Sequence, residues 1–139
     1  MSCTMDSGDC PITAASRLLS RKWSLVIVYH LLDGDKGFAE LEKSIGAISS
    51  KTLSETLEDL RRLGIVERII DPGPPVRVRY RLTEMGEDLR SVIMELARWS
   101  CKWVVRNSQC GDILSKINGQ DRPRQNVEEA QPQQTWLAD

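Results

Sequence analysis

The apolar pattern of this chain changes period once, at Gly64, and that change constrains the fold more than any other feature. Before Gly64 the apolar residues recur every three or four positions; after it they alternate. "IVERII" (65–70) reads as a strand, and "VRVRYRL" (76–82) alternates without a break. Between them lies "DPGPP", whose prolines and glycine suit a loop rather than a ladder. Two strands joined this way make a hairpin with a protruding tip.

The helical part comes first. "CPITAASRLLS" (10–20) begins with a proline, which fits the first position of a helix, and carries Ile12, Ala15, Leu18 and Leu19 at helical spacing. "KWSLVIVYHLLDG" (22–34) is apolar almost all round, so it predicts a buried second helix that Asp33-Gly34 ends. "KGFAELEKSIG" places Phe38, Leu41 and Ile45 on one stripe and closes with Gly46. A fourth helix starts after the short link "GAI". Ser49 caps it, Leu53, Leu57 and Leu60 line its inner face, and Gly64 stops it. Beyond the hairpin, Thr83 caps a long helix with Leu89, Val92, Ile93, Leu96, Trp99 and Trp103 on one broad stripe, ending near Asn107. A short amphipathic piece, "DILSKI", follows. From Asn118 the composition turns to Gln, Pro, Asn and charge. The expected organisation is an extension over 1–9, one domain over 10–117, and a polar, disordered tail over 118–139 in which Trp136-Leu137 is an isolated apolar pair.

Helices, then a hairpin, then a long helix is the order of a winged helix-turn-helix: mainly α with a small β-hairpin. In that motif the fourth helix reads base edges with its first turns. On a helical wheel Lys51, Thr52 and Glu55 point away from the leucines, and Ser54 joins them as a candidate contact. Lys51 can donate to guanine, Thr52 can meet a thymine methyl and Glu55 can accept from cytosine. Ser49 and Ser50 sit where backbone amides meet phosphate. Glu58 and Asp59 would repel phosphate, but they lie a turn further along and Arg61 and Arg62 follow them. On the hairpin, Arg77, Arg79 and Arg81 share one strand face. Over 68–81 those three plus Arg68 against Asp71 leave a net +3, a sign suited to a phosphate backbone. The candidate DNA contacts are therefore Ser49, Ser50, Lys51, Thr52, Ser54 and Glu55 on the helix and Arg77 and Arg79 on the wing.

The formal net charge of -1 means that any such binding rests on a local patch, not on the total. No stretch is long and apolar enough for a membrane span, and "MSCTMDSGDC" lacks the charged and apolar regions of a signal peptide, so a cytoplasmic protein without membrane partners is expected. With one histidine, no Cys-x-x-Cys and no phosphate loop or nucleophile motif, the chain is expected to be no enzyme and to hold no metal or cofactor. In a reducing cytosol the four cysteines are not expected to form structural disulfides. His30, in a buried helix, reads as a core residue. The competing function is a winged helix that binds protein instead of DNA, which Glu58 and Asp59 would suit.

These residues resemble a known family. "CPI", "KWSLVIVYHLLDG", "FAELEKSIGAISSKTLSETLEDLRRLGIVER", "DPGPPVRVRYRLTEMG" and the tryptophan of "ELARW", in this order over about 10–103, are similar to the HxlR-type winged-helix transcriptional regulators of bacteria and archaea. A more distant resemblance is to MarR-type regulators. The resemblance implies a homodimer on operator DNA, joined through the first and the C-terminal helices, with an effector that it does not specify. The candidate dimer residues are Leu18, Ile93, Leu96, Trp99 and Trp103. The long-helix stripe agrees, since it is larger than one small domain needs. Family members often carry a basic residue where this chain has Thr56 or Glu55. Cys10 matches an N-terminal Cys-Pro that some members use to sense oxidants or electrophiles, at a helix N-terminus that lowers a thiol pKa while Asp9 beside it acts the other way; the competing reading is a structural or vestigial cysteine. Cys101, among tryptophans, reads as packing.

Overall fold

A computed structural model describes residues 10–120. The extension at 1–9 and the tail at 121–139, with Trp136 and Leu137, lie outside the described residues. Four helices precede the hairpin: α1 (Pro11–Leu18), α2 (Ser24–Leu31), α3 (Phe38–Ile45) and α4 (Ser50–Arg62). Strands β2 (Val66–Asp71) and β3 (Arg77–Leu82) form the hairpin. A two-residue strand, β1 (Lys36–Gly37), adds to its other edge, so the sheet has three antiparallel strands in the order β1-β3-β2. Two residues carry no readable alternation, so the sequence pattern could not reveal β1.

The core forms where the apolar faces of these elements meet. Ile27, Val28 and Leu31 of α2 pack with Leu41 of α3 and with Leu53, Leu57 and Leu60 of α4; Ile65, Val66, Leu82 and Ile93 close the cluster. Burying side chains of this kind contributes roughly 1.5–3 kcal/mol each. Gly46, at φ 79, turns the chain between α3 and α4 in a conformation that a side chain would disfavour. Ser49 then caps α4, its hydroxyl accepting from the Thr52 N–H at 3.1 Å.

The predicted long helix is divided. Thr83 caps a short α5 (Glu84–Glu87), accepting from the Gly86 N–H at 3.2 Å, and α6 (Leu89–Trp103) begins after Asp88. Gly86 lies flat against the start of β2: a Cβ there would stand 2.3 Å from the Ile65 carbonyl oxygen. Arg90 ties the start of α6 to α2 by donating to the Leu32 carbonyl at 2.9 Å. The predicted "DILSKI" piece is the middle of a longer helix, α7 (Ser108–Gln120), which runs past the expected domain boundary at 117.

The cysteines depart from expectation. Cys101 of α6 is bonded to Cys110 of α7, with Cα atoms 5.6 Å apart. Cys10, only 7% exposed, is also disulfide-bonded, and no described cysteine is a free thiol. The reducing-compartment argument spoke only to environment. The turn after α6 brings Cys101 and Cys110 within bonding reach, which spacing alone did not reveal.

Candidate nucleic-acid interface

Helix α4 turns its leucines inward and leaves Lys51, Ser54, Glu55 and Glu58 exposed along one side. Lys51 has no salt-bridge partner among the described residues, so its ammonium is available to a ligand. The two serines and Thr52 are more committed than their sequence positions suggest. The Ser49 hydroxyl donates to Thr52 Oγ1 at 2.9 Å while capping the helix. The Ser50 hydroxyl donates to Glu42 Oε2 at 2.9 Å, tying α4 to α3. Thr52 is half-buried, and Thr56 is buried, with its hydroxyl donating to the Thr52 carbonyl at 2.7 Å. Thr56 therefore belongs to the core side of α4 and offers no exposed position for a basic residue.

The acids that seemed to spoil this helix are paired. Glu58 Oε2 takes Arg61 at 2.8 Å and its other oxygen lies 3.8 Å from Arg62. Asp59 takes Arg21, from the α1–α2 link, at 2.7 Å. Such exposed pairs add little stability. Their effect here is to cancel negative charge behind the first turns of α4.

The wing departs from the sequence reading in the opposite direction. Arg77, Arg79 and Arg81 do share a face, but register places Asp71, Ile69 and Glu67 directly across from them. Arg81 pairs with Glu67. Arg79 is held at three points: Nε to Asp71 Oδ2 at 2.8 Å, Nη2 to Asp71 Oδ1 at 3.2 Å and Nη1 to Asp35 Oδ2 at 2.9 Å. The Arg79 hydrogen bond and charge hold the Asp71 carboxyl below its ordinary range. Arg79 is thus a clamp from the hairpin to the loop before β1. The single-sign face inferred from the 68–81 window is a mixed one, because Glu67 and Asp35 fall outside that window yet fold onto the same face. Arg77, near the wing tip, is exposed and forms no salt bridge among the described residues; Arg68, on the other strand, is equally open and was not among the expected contacts.

The expected dimer residues also separate. Ile93 is 6% exposed and belongs to the core of its own chain, which corrects its assignment to an interface. Leu18 is half-buried. Leu96, Trp99 and Trp103 are 46%, 56% and 53% exposed, and Val92, on the same stripe, is 49% exposed. Among the described residues nothing covers this stripe fully, and Trp99 and Trp103 are not part of the core.

A three-helix unit with a short turn before α4 and a hairpin after it defines a winged helix-turn-helix protein. Residues 18–108 match the HxlR-like helix-turn-helix family, and the chain belongs to that family. It is 41% identical over 97 residues to the HTH-type transcriptional regulator YodB of Bacillus subtilis, covering 69% of this chain and 87% of YodB. Over 96 residues it is 36% identical to the uncharacterized HTH-type transcriptional regulator YvaP of the same organism, covering 68% of this chain and 89% of YvaP. Among solved structures, the reduced form of YodB superposes with a TM-score of 0.63 at 38% identity, over 71% of this chain and 98% of that one. The redox regulator HypR in its oxidized form superposes with a TM-score of 0.64 at 30% identity, over 70% and 99%. YodB has also been solved diamide-treated and quinone-bound. No helix among the described residues is long and apolar enough to cross a membrane.

Proposed function

We propose that this chain is a sequence-specific DNA-binding transcriptional regulator that acts as a homodimer on operator DNA in the cytoplasm, and not an enzyme. The observation that carries the reading is the exposed Lys51, without a salt bridge among the described residues, on the first turn of a capped α4 whose Glu58 and Asp59 are neutralised from behind. Lys51, Ser54 and Glu55 read base edges; Ser49, Ser50 and Thr52 set the helix start and its approach to phosphate; Arg77 and Arg68 meet the backbone. Arg79 acts on DNA only by holding the wing. A second copy covers Val92, Leu96, Trp99 and Trp103, which sets two recognition helices about one helical turn of DNA, roughly 10 base pairs, apart or a multiple of it.

Footprinting upstream of the chain's own gene and its neighbours should give two symmetric protected patches. Lys51→Ala should cost about 1–3 kcal/mol on that site and relax its sequence preference. Absence of any protected DNA, with a protein partner retained by the same face, would replace this reading with a protein-interaction winged helix.

The regulation we propose is thiol-based, supported by YodB and HypR, which are described in differently oxidised or modified forms. Cys10 is its candidate, because it stands at the N-cap of α1 and a change of its bonding moves that helix. Starting from the protein reduced at Cys10, diamide should re-form the bond and lower DNA affinity in the wild type and leave Cys10→Ser unaffected; an equal response in both would place sensing elsewhere.

A further inference from the structure

The end of α1 and the last turn of α4 converge on a cleft that the DNA-binding reading does not use. Its volume is about 290 Å³, and Arg17, Arg21, Arg62 and Asp59 line it together with Leu18 and Leu63. Three arginines against one aspartate among the lining residues leave a formal +2 there, in a chain whose formal net charge is -1. Ser24, the first residue of α2, forms part of the wall, and no side chain caps that helix.

The plain explanation for arginines here is that Arg17 and Arg62 each sit in the last turn of a helix, where cations favour the dipole. The terminal carbonyls, however, already have partners. The Ser20 hydroxyl donates to the Arg17 carbonyl at 3.1 Å. The N–H groups of Leu63, Gly64 and Ile65 donate to Asp59, Arg61 and Leu60. Nor are the arginines fully consumed by acids. Arg21 is paired with Asp59 at 2.7 Å, and Arg62 stands 3.8 Å from a Glu58 that Arg61 holds more closely. Arg17 has no salt-bridge partner among the described residues. Three arginines and two leucines thus line one recess of a size for a small ligand.

We infer that this cleft binds a small dianionic oxyanion, a dicarboxylate or a phosphate, as an effector. Guanidinium groups match both by parallel N–H donors, and a +2 recess favours two charges over one. Binding there engages the α1–α2 link and the end of α4 together, competing with Asp59 for Arg21. Arg62 lies eleven residues beyond Lys51, about 16 Å along the helix, so the ligand need not displace DNA to be felt by α4. The effector role rests on the DNA-binding reading; the binding itself does not, and it is measured without DNA.

The test is calorimetric titration of the full chain at constant ionic strength with succinate, inorganic phosphate and, as a single-charge control, acetate. One site per chain is expected, with at least one dianion binding roughly tenfold more tightly than acetate. The better of succinate and phosphate distinguishes a dicarboxylate from a phosphate ligand. Arg17→Gln and Arg62→Gln should each weaken it about tenfold, and Arg62→Lys should weaken it less. Asp59→Asn should tighten it, because it removes the internal competitor. That opposite sign is one a merely damaged fold would not produce, and thermal melts of each variant check the fold directly. No saturable heat up to about 10 mM for either dianion, unchanged binding in the arginine variants, or weaker binding in Asp59→Asn would overturn the site. If binding stands but DNA affinity is the same with and without ligand, the effector role is overturned.

Discussion

Two arginines two positions apart on β3 have different work. Arg77 is exposed with no salt bridge among the described residues, whereas Arg79 is clamped by Asp71 and Asp35. Arg77→Ala should weaken specific and random DNA alike and reduce the slope of log affinity against log salt by about 0.9. Arg79→Ala should instead lower the melting temperature and loosen amide protection across β2 and β3. Equal salt slopes for wild type and Arg77→Ala would remove the wing tip from the backbone. His30 gives a pH signature at the same scale. Burial first, and then Lys36, lower its pKa below the ordinary 6.5, with Asp33 opposing. The neutral ring is therefore the form that suits the fold. Its contribution is complete above pH 6.5 and is lost as pH falls from there through the lowered folded value. Melting temperature should decline over that interval, and less steeply in His30→Gln; parallel profiles would show that His30 is not responsible.

At the scale of elements, α7 depends on α6 more than its composition suggests. The Cys101–Cys110 bond closes a loop with a sequence separation of 9, and the bond stabilises the pairing by about 2–3 kcal/mol in the chain-entropy account. Cys110→Ser, or reductant, should release α7 to faster hydrogen exchange while β2, β3 and α4 keep their protection. The main core cluster runs from α2 to α6, and Ile117 of α7, though buried, is not a member of it. If exchange in α4 accelerated equally, α7 would be part of the same cooperative unit. The helices themselves were largely legible in the sequence. Leu53, Leu57 and Leu60 recur at the period that marks a buried face, and all three are at most 1% exposed. The close approach of Gly86 to the Ile65 carbonyl, next to the break at Asp88, was not legible, because it joins residues 21 apart in sequence.

For the whole molecule, the exposed stripe of α6 sets the expected assembly. Val92, Leu96, Trp99 and Trp103 recur at helical spacing and are each at least 46% exposed. Trp99→Lys should convert the proposed dimer to a monomer with little loss of its own stability, since the side chain is outside the core. Sedimentation at low concentration reads the first effect and thermal melting the second. Operator affinity should fall with it, because one half-site contact is lost. A wild type that is monomeric at concentrations where it binds operator tightly would remove the dimer from the mechanism.

The chain's own order of residues determined the element types, the inner faces of α2, α3 and α4, and the place of the wing, because periodicity, caps and turn residues act within a few positions of one another. It also made Lys51 and Glu55 visible as an outer face. Tertiary structure decided which charges remain available. Asp35 reaches Arg79 across 44 positions, Glu67 meets Arg81 across 14, and Arg21 meets Asp59 across two helices. An ion pair forms when side chains come within a few ångströms, and chain folding, not sequence distance, sets that separation. For the same reason a count over 68–81 found four arginines against one acid, while the folded wing leaves Arg68 and Arg77 as its open cations.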